Sequence, residues 1–237
     1  MNIDGCVALV TGANRGVGAA FVEGLLAAGA RKIYAASREP DAIVRCDPRV
    51  VPVELDVTNA QQIRRAAANA PDVTLLVNNA GVNRMASCLS TVDPDAATRE
   101  MEVNYFGTLN VIRAFAPALR ENGGAIVNML SILARIALPS MGSLCASKAA
   151  ALRMTESVRA ELAKDGVSVL AIMPGAIDTD MSRDFPGPKI PAPDVVSATL
   201  DALAAGIDEL YVGDMAKAIA AELASDRIAV QRRVASA

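Results

Sequence analysis

Short apolar runs alternate with longer helical segments along nearly all of the 237 residues. Residues 6–10 (CVALV) have the length and valine content of a buried strand. The alanine-rich stretch 19–28 that follows reads as a helix, and Gly29 closes it. Residues 31–37 form a second strand, left at Arg38-Glu39-Pro40, and residues 50–55 a third. Thr58 or Asn59 caps a helix running to about Asn69. Residues 73–77 are a fourth strand. A long helix spans 91–122, with Asp93 as N-cap, Pro94 at its first position and a break or bend near Pro117. Residues 125–130 are a fifth strand, 143–164 a second long helix, and 167–173 a sixth strand. The proline-rich stretch 181–193 reads as a loop, 194–205 as a helix, 209–212 as a seventh strand and 215–223 as a last helix. The tail 227–237 is expected to be mobile or an interface arm. Regular βα alternation without a linker predicts one parallel sheet with helices on both faces, formed by a single domain over 1–237.

The chain is 52% hydrophobic and 21% charged with a net charge of -3, enough for a sizeable core. That balance points to neither nucleic acid nor an anionic membrane as a partner. There is no histidine, which excludes Ser-His-Asp and Cys-His nucleophile systems within the chain and the usual zinc patterns. Cys6, Cys46, Cys88 and Cys145 lie far apart and form no C-x-x-C pair, so no metal site is expected. Residues 1–4 carry neither a positive region nor an apolar run, and a cytoplasmic protein is expected.

Candidate chemistry begins right after the first strand. Gly12, Gly16 and Gly18 have the spacing GxxxGxG between a strand and a helix. Glycines there allow positive φ and close backbone approach, and the helix N-terminus offers free N–H groups to a pyrophosphate. In isolation the pattern also fits a plain tight turn. The second strand ends in Ser37-Arg38, where dinucleotide folds carry an acidic residue that selects NAD. Arg38, with Arg15 from the glycine loop, favours a 2′-phosphate and hence NADP over NAD, unless both simply face solvent. Asn78-Asn79 at the end of the fourth strand are costly to bury unless bonded. Asn104 is a polar residue in a helix interior, and Lys148 opposes the dipole at the start of its helix.

These separated motifs together resemble the short-chain dehydrogenase/reductase family, of the single-domain type. The resemblance implies a Rossmann-like, doubly wound, seven-stranded parallel sheet flanked by helices. It implies a nicotinamide cofactor held by Gly12, Asn14, Arg15, Gly16, Val17, Gly18, Ser37 and Arg38. Asp56 and Val57 would serve its adenine side. Asn79, Ala80, Gly81, Lys148, Pro174, Gly175, Ile177 and Thr179 would serve its nicotinamide side. It further implies catalytic roles for Asn104, Ser131 and Lys148. One position departs from the pattern. The family's Tyr-x-x-x-Lys motif places a tyrosine four residues before the lysine and thirteen after the serine, and Leu144 stands there. Tyr34, Tyr105 and Tyr211, the chain's tyrosines, lie elsewhere in the sequence. Leucine neither gives nor takes a proton, and loss of positioned acid–base catalysis typically costs about 10²–10⁴-fold. A substrate pocket formed by Leu133, Arg135, Met141, Leu144 and Met181 would be largely apolar.

The expected function is therefore NADP(H)-dependent oxidoreduction of a small apolar or aromatic carbonyl or a related compound. Two alternatives stay open. One is non-standard chemistry: reduction of an imine or activated double bond, dehydration or cyclisation. The other is a non-catalytic dinucleotide-binding protein. The resemblance also implies a homodimer or homotetramer formed through the two long helices.

Overall fold

The computed structural model describes residues 1–44, 47–90 and 92–235. Cys46 and Thr91, the latter the expected start of the first long helix, lie outside the described residues. Seven strands, β1 (Val7–Thr11), β2 (Lys32–Ser37), β3 (Val50–Glu54), β4 (Leu75–Asn78), β5 (Ala125–Met129), β6 (Ser168–Pro174) and β7 (Glu209–Val212), form one sheet. Their order is β3-β2-β1-β4-β5-β6-β7, and each neighbouring pair is parallel. The order reverses between β1 and β4. The crevice beyond the carboxyl ends of these strands is where such sheets take ligands.

Strand alternation sorts the core into two layers. Ala8 and Val10 of β1 face one side, packed with Phe21 and Leu25 of α1 (Gly16–Ala27) and with Val195 and Leu203 of α6 (Ala192–Ala205). Val7 and Leu9 face the other side. They pack with Ile63 of α2 (Ala60–Asn69), Phe115 and Leu119 of α4 (Thr108–Asn122), and Val158 of α5 (Gly142–Leu162). Asn59 caps α2, accepting the N–H groups of Gln61 and Gln62.

Two segments differ from the sequence expectation. The first long helix starts at α3 (Ala96–Met101), because the Asp93 carboxylate turns onto the Asp95 N–H (3.2 Å) before the chain becomes helical. Its irregularity is a π-helical turn at Glu102–Gly107, while Pro117 lies inside α4 without ending it. A Cβ on Gly107 would meet Val57 Cγ2 at 2.7 Å, so the bulge lets the helix pass the loop after β3. The described part of the tail, to Ala235, is also ordered. After α7 (Asp214–Leu223), residues Arg227–Ala235 form α8. Val230 and Val234 of α8 are buried with Ile132, Ile136, Ala216 and Ile219. The Gln231 amide donates to Ala137 O (2.8 Å) and accepts from Ala137 N–H (2.9 Å).

Phe115 has no exposed surface at the centre of its layer. Phe115→Ala should cost about 3–5 kcal/mol, read from the urea midpoint at unchanged slope.

Candidate active site

The first half of the site is built where β1 and β4 end. Thr11 Oγ1 accepts the N–H groups of Asn79 and Ala80, both at 3.0 Å. The Asn79 amide donates to the carbonyls of Thr11 (3.0 Å) and Gly12 (3.2 Å). These bonds hold the glycine loop against the NNAG segment. Gly12 (φ 66°) and Gly16 (φ 55°) take left-handed conformations that side chains resist. A Cβ on Gly18 would collide with the Gly12 carbonyl. Arg15, the N-cap of α1, is extended and supplies no side-chain cap, and no acid stands in the first turn. The leading N–H groups of α1 therefore stay available to an anion. This uncapped helix start beside glycines 12, 16 and 18 fits a dinucleotide pyrophosphate.

The flanking residues surround that loop. Arg15 is exposed and lies 3.8 Å from Asp180. Ser37 is buried, its hydroxyl accepting the Glu39 N–H (3.0 Å), and Arg38 beside it is exposed. The Asp56 carboxylate accepts from Thr58 N–H (2.9 Å) and Oγ1 (2.7 Å), and Val57 is buried. Asn14 is half-buried and Val17 buried. Thr179 reaches the loop from beyond β6, its methyl 3.3 Å from where a Cβ on Gly16 would stand. Pro174 ends β6, Gly175 donates to Val212 O (3.1 Å), and Ile177 bridges Ile190.

The second half lies between β4, β5 and α5. Asn104, inside the π-turn, accepts the Val82 N–H (2.9 Å) and donates to Val82 O (2.9 Å) and Ser147 Oγ (3.0 Å). A Cβ on Gly81 would lie 3.2 Å from Asn104 Oδ1 and 3.7 Å from Lys148 Nζ. Lys148 Nζ donates to Met129 O (2.9 Å), two residues before Ser131, whose Oγ accepts the Leu133 N–H (3.2 Å). Burial pushes the Lys148 ammonium down to about 8. Leu144, one turn before Lys148, is buried, and its carbonyl accepts the Ser147 hydroxyl (2.9 Å).

Several expected pocket residues are engaged elsewhere. The Arg135 guanidinium lies on both Glu209 oxygens (2.8 and 2.7 Å). Leu133 packs into the apolar cluster beneath α8. Met141 is buried and contacts the Asn83 amide (3.5 Å), whereas Met181 is exposed. The tyrosines are also committed: Tyr34 donates to Asp72 (2.8 Å), Tyr211 to Glu209 (3.4 Å), and Tyr105 stacks edge-on against Phe106. Cys145 accepts the Leu138 N–H (3.3 Å), and burial raises its thiol. Sequence reasoning missed Ser147 and Glu100. Glu100 could have been found from its spacing, since Ala96, Glu100, Asn104 and Thr108 recur every four residues on one buried helix face.

A family model described as short chain dehydrogenase matches residues 6–188. A short chain dehydrogenase from Burkholderia cenocepacia, solved in complex with NADP, is 60% identical over 99% of both chains, with a TM-score of 0.97. A short-chain dehydrogenase/reductase from Burkholderia phymatum, solved in complex with NAD, is 26% identical over 98% of this chain and 96% of its own, with a TM-score of 0.82. A sorbitol dehydrogenase from Cereibacter sphaeroides is 35% identical over 75% of this chain and 73% of its own length. The chain belongs to the short-chain dehydrogenase family: NAD(P)(H)-dependent oxidoreductases that act on small organic molecules. Among the described residues, no helix is long and apolar enough to cross a membrane.

Lys148 gives the site a pH signature. Its folded pKa lies below the unfolded value of 10.5, so between about pH 8 and that value the unfolded chain binds more protons and stability rises with pH. The stability advantage of Lys148→Met over wild type should be larger near pH 7.5 than near pH 9.5 in urea titrations.

Proposed function

We propose that the chain is an NADP(H)-dependent reductase of a small apolar or aromatic carbonyl or a related substrate, working without a tyrosine acid/base. The observation that carries the cofactor choice is the end of β2. Ser37 is buried there and the Arg38 guanidinium stands exposed, in reach of a ribose 2′-phosphate. The NADP complex of the Burkholderia cenocepacia relative supports the same reading.

When bound, the dinucleotide supplies or accepts the hydride. The leading N–H groups of α1, with Gly12, Asn14, Gly16, Val17 and Gly18, hold the pyrophosphate, and Arg15 and Arg38 hold the 2′-phosphate. Asp56 and Val57 orient the adenine. Asn79, Ala80, Gly81 and Lys148 hold the nicotinamide ribose; Pro174, Gly175, Ile177 and Thr179 position the amide. Ser131 Oγ orients the substrate oxygen. Asn104 fixes the 81–82 backbone beside Lys148, so that the ammonium sits at a set depth.

Leu144 occupies the position of the family's tyrosine and presents an apolar wall one turn from Lys148. A substrate that brings its own acidic group, such as a phenol or hydroxyquinone, or one that needs little protonation, suits this wall. Met141 is buried against Asn83 and backs this wall from within, while Met181 stands exposed beyond β6. Arg135 is held by Glu209 through Nη2, which draws its charge away from a substrate anion. We further propose that two copies associate through α4 and α5, with the exposed Phe106 at the start of that face.

Titration with NADPH and NADH, followed by loss of absorbance at 340 nm across a carbonyl panel, tests the reading. NADPH should bind more tightly than NADH, and tighter NADH binding would overturn the cofactor choice. Arg38→Ala should weaken NADPH binding about 10-fold or more, the loss of one charge-assisted contact, and leave NADH binding unchanged. Leu144→Tyr should raise carbonyl reduction by about 10²–10⁴-fold. No gain would show that the remainder of the site is not set up for standard carbonyl chemistry.

A further inference from the structure

Glu100 has none of its surface exposed, unlike every other charged side chain among the described residues. It lies in α3, one helical turn before Asn104. Its Oε1 accepts the Arg84 N–H at 2.6 Å, while Oε2, also buried, has no partner. Asn104 accepts the Val82 N–H in the same manner. Two side chains one turn apart thus take alternate N–H groups of the extended 82–84 segment. That segment continues from Gly81, which lies between Asn104 Oδ1 and Lys148 Nζ.

A carboxylate this deep needs a counter-charge. The groups around it narrow the choice. The Arg84 guanidinium is spent on Asp93 (3.0 and 2.8 Å), outside the core. Arg99, on Glu100's own helix, is exposed and lies 4.0 Å from Asp95, and Glu102 is exposed. On α5, which packs against α3, the ionisable groups that Glu100's charge acts on are Cys145 and Lys148, and Lys148 Nζ borders Gly81 together with Asn104, one turn from Glu100. Lys148 is the cation of that pair, and Glu100's charge acts on it in the sense that favours the ammonium.

We propose that Glu100 is a positioning residue for Lys148: one carboxylate oxygen fixes the 82–84 segment, and the other supplies the buried counter-charge to the lysine ammonium. Removing the charge lets burial drive Lys148 further toward the neutral amine. The functional consequence rests on the reading that Lys148 holds the nicotinamide ribose. With the tyrosine position apolar, the lysine's charge then rests on Glu100 together with the Met129 carbonyl.

Titrating protein labelled with ε-¹³C lysine by NMR, the Lys148 signal being assigned by its loss in Lys148→Arg, reads the coupling without any cofactor. The wild-type midpoint should lie near 8. In Glu100→Gln, which keeps an oxygen for the Arg84 N–H, it should fall by about one unit. In Glu100→Asp, which keeps the charge but draws it back, it should fall by less. Equal midpoints in the two variants, or no fall in either, would overturn the proposal, because a merely structural role disturbs both alike. Should Glu100→Gln fail to fold, Glu100→Asp is compared with Glu100→Ala, which removes the charge: a midpoint lower in Ala than in Asp supports the coupling, and equal midpoints sink it. NADPH fluorescence provides the functional readout. Its affinity should fade above the Lys148 midpoint, about one pH unit earlier in Glu100→Gln, with dissociation constants near pH 6 agreeing within about 2-fold. A wild-type protein that binds no NADPH at any pH removes the functional reading and leaves the NMR result to judge Glu100.

Discussion

A parallel sheet delivers all its strand ends to one edge, and the polar groups there must find partners or bind something. In this protein the decisive edge lies between β1 and β4, where the strand order reverses. The Thr11 hydroxyl and the Asn79 amide cross that gap and satisfy the loop backbone on both sides. The glycine loop is thereby held in left-handed turns that leave the start of α1 uncapped and open. The rest of the site is arranged around that opening. Thr179 approaches the loop at Gly16 from beyond β6.

The far end depends on a different constraint, the cost of burying polar groups. Asn104, Ser147, Lys148 and Glu100 are drawn between α3, the π-turn and α5, each held to backbone or to another of the set. The π-turn is what permits this. It re-phases the helix so that Asn104 reaches Val82 while Gly107 slides past Val57. Leu144 is apolar within this otherwise polar neighbourhood.

Much of this was legible in the amino-acid order. Seven short apolar runs separated by helical segments specify a parallel α/β sheet, because strands buried on both faces must be apolar throughout. Strand positions agree to within a residue or two at nearly every end. The glycine loop and the adjacent asparagines each broke a local rule, and they meet where β1 and β4 end. Lys148 is the seventh residue of α5, beyond the first turn where the helix dipole acts. What the order concealed was whatever depended on a distant partner. The bend expected at Pro117 is a π-turn at Glu102–Gly107. The tail is a helix because Val230 and Val234, two apolar residues one turn apart, find a ready-made apolar cleft, and Gln231 finds the Ala137 backbone. So short a periodicity carries almost no signal by itself.

Arg135 and Glu100 show the same division. A guanidinium four residues after Ser131 looks like an anchor for substrate until Glu209, 74 residues on, takes it. A glutamate in a helix looks like solvent-facing charge until the packing of α3 on α5 removes all water from it. The sequence by itself determined the fold class, the dinucleotide loop and the absence of histidine chemistry, because those follow from local spacing and residue type. Only the tertiary structure decided which polar side chains are spent on one another and which remain facing the crevice, because burial and partnership are properties of the assembled layers.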